Sequence, residues 1–257
     1  MTLTEPEAAA RLATRAPILE AIGLCKSFGG ARAVDNVGFR VEAGEILGIA
    51  GPNGSGKSTL FNIITNVPFR ADSGRVLFGG LEIQHWPSHR ISVAGLARTF
   101  QRESVFPSLS AIDNVMVAID AAAPALPRIE RETRATAALD LVGFPATLHN
   151  AISGGLPVFL RKLVMIGSAM ALRPKVFLLD EPASSLTPPE IDRIRALILK
   201  LRSAGVTILL IEHVLSLLSS VSDRLMVLDQ GSVIASGAPR DVIADPAVVE
   251  AYLGVGS

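Results

Sequence analysis

Gly51-Pro52-Asn53-Gly54-Ser55-Gly56-Lys57-Ser58-Thr59 follows an apolar run, residues 45–50 (EILGIA), and leads into Lys57–Thr65, whose residues favour a helix. The run fits G-x-x-x-x-G-K-[ST] in the strand-loop-helix setting that a phosphate-binding loop requires. Gly51, Gly54 and Gly56 let the backbone wrap with its N–H groups inward, so that the amides around Asn53 and Ser55 and the start of the helix form a nest for anionic phosphates. Lys57 is placed to neutralise the terminal phosphates of a nucleoside triphosphate. Ser58 offers a hydroxyl to Mg²⁺ bridging two phosphate oxygens, and Thr59 can contact the α-phosphate.

Downstream, Val176-Phe177-Leu178-Leu179-Asp180-Glu181 reads as an apolar strand ending in two acids. Open parallel sheets bind ligands at such carboxyl ends. Successive strand residues face opposite ways, so the pair can divide its work. Asp180 is suited to hold Mg²⁺, directly or through water, and Glu181 to polarise the attacking water as general base. Acids at a strand end are often merely solvated; beside a phosphate loop they read as a hydrolytic pair. His213, after Thr207–Ile211 and Glu212, stands at another carboxyl end, where an imidazole can hydrogen-bond the γ-phosphate and stabilise transition-state charge.

Working outward, strand patterns fall at residues 18–24, 37–41, 75–78, 224–228 and 233–235, with helical patterns at 189–203 and 213–220 and a mostly helical stretch over 105–172. Alternating strands and helices predict parallel pairing. The 257 residues are 49% apolar yet 5% aromatic, which predicts an Ile/Leu/Val/Ala core of the kind buried parallel sheets use. The 24 basic and 24 acidic side chains cancel, so no global field draws the chain to nucleic acid or an anionic membrane. The single cysteine, Cys25, excludes an internal disulfide, and no Cys/His cluster offers a zinc site, as expected in a reducing compartment. Residues 1–17 lack the basic start and apolar centre of a secretory signal and read as a flexible tail. No run approaches the roughly 18–20 uncharged apolar residues that span a bilayer. The expected organisation is one α/β domain over 18–257, with a helical subdomain inserted at about 102–170.

With these pieces in order, the chain resembles the ABC transporter ATPase family from about Ile18 to Gly254. The resemblance implies a P-loop NTPase core with a parallel sheet, an antiparallel β subdomain and the helical insertion. It places Phe28, in K-S-F-G-G, where the family stacks an aromatic ring on adenine, a contact of roughly 1–3 kcal/mol. Gln101, in A-R-T-F-Q, looks like the glutamine that reaches the metal and the attacking water while its loop touches the membrane subunit. Residues 95–102 (GLARTFQR), 106–110 (FPSLS) and the C-terminal 250–254 (EAYLG) are similar to ATPases of branched-chain amino acid importers.

The family's L-S-G-G-Q signature has two competing counterparts. Ile152-Ser153-Gly154-Gly155-Leu156 matches by letters but ends 24 positions before Asp180, whereas Leu156-Pro157-Val158-Phe159-Leu160 ends 20 before it, at the family's spacing. A four-residue slip would turn the following helix by about 40° and shift it about 6 Å, so spacing outweighs spelling. The signature is then degenerate: Pro157 lacks both hydroxyl and N–H, and Phe159 sets a ring where close phosphate approach favours glycine. Thr187 stands in place of the family's usual Asp or Asn in the next motif, Ser184-Ser185-Leu186-Thr187. The resemblance implies ATP and Mg²⁺ as ligands, two permease subunits, an extracytoplasmic solute receptor and a peripheral place on the cytoplasmic face of the membrane. The intact loop beside a degenerate signature predicts a heterodimer with a second ATPase. A subunit that clamps ATP without cutting it is the alternative reading.

Overall fold

The computed structural model describes residues 16–100 and 105–253. Two sheets organise them. The first is antiparallel, in the order β2-β1-β4-β5, from β1 (Leu19–Phe28), β2 (Ala31–Val41), β4 (Ser73–Phe78) and β5 (Leu81–Glu82). Gly29-Gly30 closes the β1–β2 hairpin, with Gly29 at a φ of +57° that a side chain would resist. Both strands run beyond their sequence-predicted bounds of 18–24 and 37–41. The added residues are exposed or half-exposed apart from buried Val34, a pattern quieter than an apolar run.

The second sheet has the order β10-β9-β3-β8-β7-β6, built from β3 (Ile46–Ala50), β6 (Leu96–Arg98), β7 (Val176–Asp180), β8 (Thr207–Ile211), β9 (Arg224–Asp229) and β10 (Ser232–Gly237). All its neighbours pair in parallel except β9 and β10. Every residue of β3, β7 and β8 is buried, because helices and the other sheet cover both faces. Alternation divides them between two cores. Ile46, Phe177, Leu179, Ile208 and Leu210 pack on one side, and Leu47, Ile49, Leu178, Leu209 and Ile211 on the other. Full burial of one such side chain stabilises the fold by about 1.5–3 kcal/mol.

The helix α1 (Lys57–Thr65) has the predicted bounds, and its Leu60, Phe61, Ile63 and Ile64 enter the core shared with the antiparallel sheet. Between β6 and β7 lie α3 (Ala111–Ala122), α4 (Arg128–Leu141) and α5 (Val158–Met170), with α2 (Ser88–Val93) before β6. Val115, Ile119, Leu139 and Leu163 from α3 to α5 belong to the same core as Phe177 and Leu179. α6 (Pro188–Ser203), α7 (Leu215–Val221), α8 (Pro239–Ile243) and α9 (Pro246–Leu253) complete the described chain. α2, β5, β6, α8 and α9 were not anticipated; each has at most eight residues, too few for a periodic pattern to emerge. Among the described residues no helix is long and apolar enough to cross a membrane.

Candidate active site at the carboxyl ends of β3, β8 and β7

Because β8 lies between β3 and β7, their carboxyl ends bring three segments side by side: residues 51–59 after β3, Glu212-His213 after β8 and Asp180-Glu181 at β7. A cleft of about 280 Å³ opens there, lined by Ala33, residues 53–59, Glu181 and His213. Asn53, Gly54, Ser55, Gly56, Lys57, Ser58 and Thr59 thus share one cavity with Glu181 and His213.

Two glycines are sterically required. A Cβ on Gly51 would sit 2.1 Å from the Leu228 carbonyl oxygen, and one on Gly56, at φ +100°, 2.1 Å from that of Ala33. α1 starts at Gly56 with no side-chain cap, which leaves its first-turn amides free of side-chain acceptors. Lys57 is 5% exposed and folds back over the loop, donating to the carbonyls of Gly51 (2.9 Å) and Pro52 (2.8 Å) and to Ser55 Oγ (3.3 Å). Burial pushes its ammonium below the usual lysine range, opposed by Glu181 and Asp180.

The two acids occupy different surroundings. Asp180 is 2% exposed; its Oδ2 accepts from Arg98 Nη2 at 2.8 Å, while its buried Oδ1 has no hydrogen-bond partner among the described residues. Burial raises its carboxyl above the usual range, and Arg98 opposes the shift. An orphaned buried carboxylate oxygen is costly unless a cation or water completes it, so Asp180 fits a hard divalent metal in chemical type. Glu181 adopts a φ of +50°, which a non-glycine residue holds only under constraint. Its amide donates to Ile211 O (2.9 Å), and its Oε1 lies 2.8 Å from His213 Nε2.

Several supporting residues were missed from sequence. Arg98 also donates to Asn62 Oδ1 (2.7 Å), tying α1 to β6 and Asp180. Glu212, 1% exposed, accepts from the amides of Ala183 (2.6 Å) and His213 (3.2 Å), joining the ends of β7 and β8. Burial pushes its carboxyl up, those amides opposing. Lys162 of α5 donates to Glu181 O (3.2 Å) and Ser184 Oγ (2.9 Å). Each is a charged residue inside an apolar stretch, and that is a signal the sequence does carry, since such charges stay buried when paired.

Phe28 stands at the exposed end of β1, edge-on to Phe69 with centroids 4.9 Å apart, outside the phosphate cleft but in the hairpin that supplies Ala33. Gln101 lies outside the described residues. Ser153 is fully buried: its Oγ accepts from Asn114 Nδ2 (3.0 Å), and its amide and that of Gly154 donate to Leu109 O and Pro107 O, both at 2.9 Å. The better-spelled segment is therefore a clasp on residues 106–114. In the other, Pro157 precedes the first turn of α5, and Phe159 turns inward, 4% exposed, with Arg193 4.3 Å from its ring centre. The expectation that its ring crowds the approach to the helix start is corrected; packing on α6 draws it into the core. Thr187 caps α6 in a box with Glu190, whose Oε2 accepts from its amide and hydroxyl (2.8 and 2.7 Å), which gives the Thr its own local role.

Residues 34–184 match the ABC transporter family, and residues 232–257 match the C-terminal region of the branched-chain amino acid ATP-binding cassette transporters. The chain is 39% identical over 251 residues to the high-affinity branched-chain amino acid transport ATP-binding protein BraF of Pseudomonas aeruginosa, covering 93% of this chain and 98% of that one. It is 33% identical over 252 residues to LivG of Escherichia coli K12, described in the same words, with the same coverage of 93% and 98%. Among solved structures it superimposes on a nucleotide-free ATP-binding cassette from an ABC transporter (TM-score 0.83, 31% identity, 94% of this chain and 100% of that one). The ADP form of MJ1267, an ATP-binding cassette of an ABC transporter, fits similarly (0.81, 32%, 93% and 100%).

Proposed function

The chain belongs to the ABC transporter ATPase family and is an ATP-hydrolysing transport subunit; on that premise we propose that it drives uptake of branched-chain or other hydrophobic amino acids. The observation carrying the catalytic reading is the 2.8 Å contact between Glu181 and His213 inside the cleft lined by residues 53–59. The solute follows from what the relatives' names say of them and from the match over residues 232–257.

In this reading the amides of the loop and of the α1 start bind the β- and γ-phosphates, and Lys57 moves from the carbonyls of Gly51 and Pro52 onto phosphate oxygens. Phe28 stacks on the adenine. Glu181 accepts a proton from the attacking water, and the His213 imidazole, in contact with Glu181 Oε1 before nucleotide arrives, turns its N–H to the γ-phosphate. Ser58 and Asp180, with Gln101 as the family resemblance implies, would hold Mg²⁺, which would supply neutralising charge for the phosphates.

The chain works as one of a head-to-tail pair of ATPases, seated peripherally on the cytoplasmic face against two permeases, with an extracytoplasmic receptor delivering the solute. Residues of about 102–170 form the inserted helical subdomain; the expected tail at 1–17 lies almost wholly outside the described residues. Residues 156–160 face the partner's nucleotide. Since Pro157 has no hydroxyl and no N–H to offer, that site is the weaker one, which favours a second, different ATPase as partner. Isothermal calorimetry with Mg²⁺ and ATP tests the reading: one ATP bound per chain is expected, and no heat of binding to folded protein would overturn it.

A further inference from the structure

We propose that Tyr252 is a positioning residue for the phosphate loop, so that the C-terminal helix α9 sets how tightly the loop holds nucleotide. This rests on the assignment of residues 51–59 as that loop. The Gly51 amide donates to Tyr252 Oη at 2.8 Å, a contact closing 201 residues of chain. Gly51 O accepts from Lys57 Nζ at 2.9 Å. The two backbone polar groups of one residue therefore link Tyr252 to the phosphate-seeking ammonium.

The geometry leaves Gly51 little else to do. It sits at φ +147°, a conformation that favours glycine, wedged against Leu228 O and Ser55 Oγ, and its amide lies at the strand end, before the loop wraps. An amide buried at this turn without an acceptor would carry a desolvation cost, and the loop would drift to relieve it. Tyr252 supplies the acceptor from a fixed base. Its ring packs against the larger core, and Val248 on the same helix is 3% exposed. Burial raises its phenol above the usual tyrosine range, so it stays protonated at neutral pH. Tyr252 touches no reacting atom. Its effect is on where Gly51 and Lys57 stand before nucleotide arrives.

The experiment compares the full chain with Tyr252→Phe, which keeps the ring and removes the hydroxyl. The readouts are ATP affinity by calorimetry, hydrogen exchange of the Gly51 amide and thermal midpoint; KM and kcat are read with the variant in the assembled transporter. We expect faster Gly51 exchange, ATP binding and KM weakened about three- to tenfold, as loss of one hydrogen bond implies, and kcat within about twofold. A thermal midpoint close to wild type with this pattern marks positioning. A fall in midpoint with KM unchanged would mark a merely structural tyrosine and overturn the proposal, as would unchanged exchange and affinity. If the wild type itself binds no ATP, the assignment of the loop fails; the Gly51 exchange rate still decides whether Tyr252 holds it.

Discussion

Arg98 Nη2 donates to Asp180 Oδ2 over 2.8 Å with the two side chains 6% and 1% exposed, so the carboxylate suited to the metal is held by a cation from the strand that leads into Gln101. Removing one partner of such a pair strands a buried charge, whereas removing both does not. Arg98→Met should lose about 3–5 kcal/mol in urea denaturation. The double variant Arg98→Met with Asp180→Leu should recover most of it while hydrolysing no ATP. Equal losses in the single and double variants would show that the pair contributes packing rather than charge compensation.

Glu181 is the group whose chemistry separates an engine from a clamp. Glu181→Gln keeps the shape and the contact with His213 but cannot take a proton. Phosphate release by the assembled transporter should fall about 10²- to 10⁴-fold while ATP binding persists. Equal turnover in parent and variant would favour the clamp reading.

Glu212 gives a pH signature of its own. Its folded carboxyl is raised above 4.5 by burial, so between 4.5 and the folded value the native state holds more protons than the unfolded one. Stability from this group is then complete below 4.5 and declines as pH rises through the folded value. Glu212→Gln removes that dependence. The stability difference, variant minus parent, should shift in the variant's favour from pH 4.5 upward, read as urea midpoints across the range. A difference flat with pH would mean that Glu212 is ionised at no net cost in the fold.

What the sequence made legible was what depends on local pattern. The phosphate loop, the acids after Leu179 and the Glu212-His213 pair after Ile211 each follow a short, fully buried and almost wholly apolar run, and such runs announce themselves. What stayed hidden depends on distant contacts. Nothing near Arg98 says that Asp180 lies beside it, and the Tyr252–Gly51 bond spans nearly the whole chain. Ser153 shows the converse. Its letters match a phosphate-binding motif, and its position, buried beneath Asn114, commits it to structure.

Pro157 carries the sharpest test of asymmetry between the two nucleotide sites. It precedes the first turn of α5 at φ −54° and ψ 152°, a conformation that serine adopts readily as an N-cap. Pro157→Ser therefore introduces no backbone strain, and its hydroxyl can accept from an amide of the first turn, stabilising the helix by about 1 kcal/mol. Phe159 faces Arg193 and the core, so its ring does not stand in the way. The variant also restores an N–H and a hydroxyl at the position that the proposed head-to-tail pair sets against the partner's γ-phosphate. One hydrogen bond to a charged group is worth about 1.5–3 kcal/mol, or roughly ten- to a hundredfold in rate if it forms mainly in the transition state. The purified chain, able to pair with itself alone, should hydrolyse ATP slowly, and Pro157→Ser should speed it by about that factor at unchanged KM. Brisk turnover by the parent, or none gained by the variant, would mean that proline does not limit the site and that the two sites need not differ.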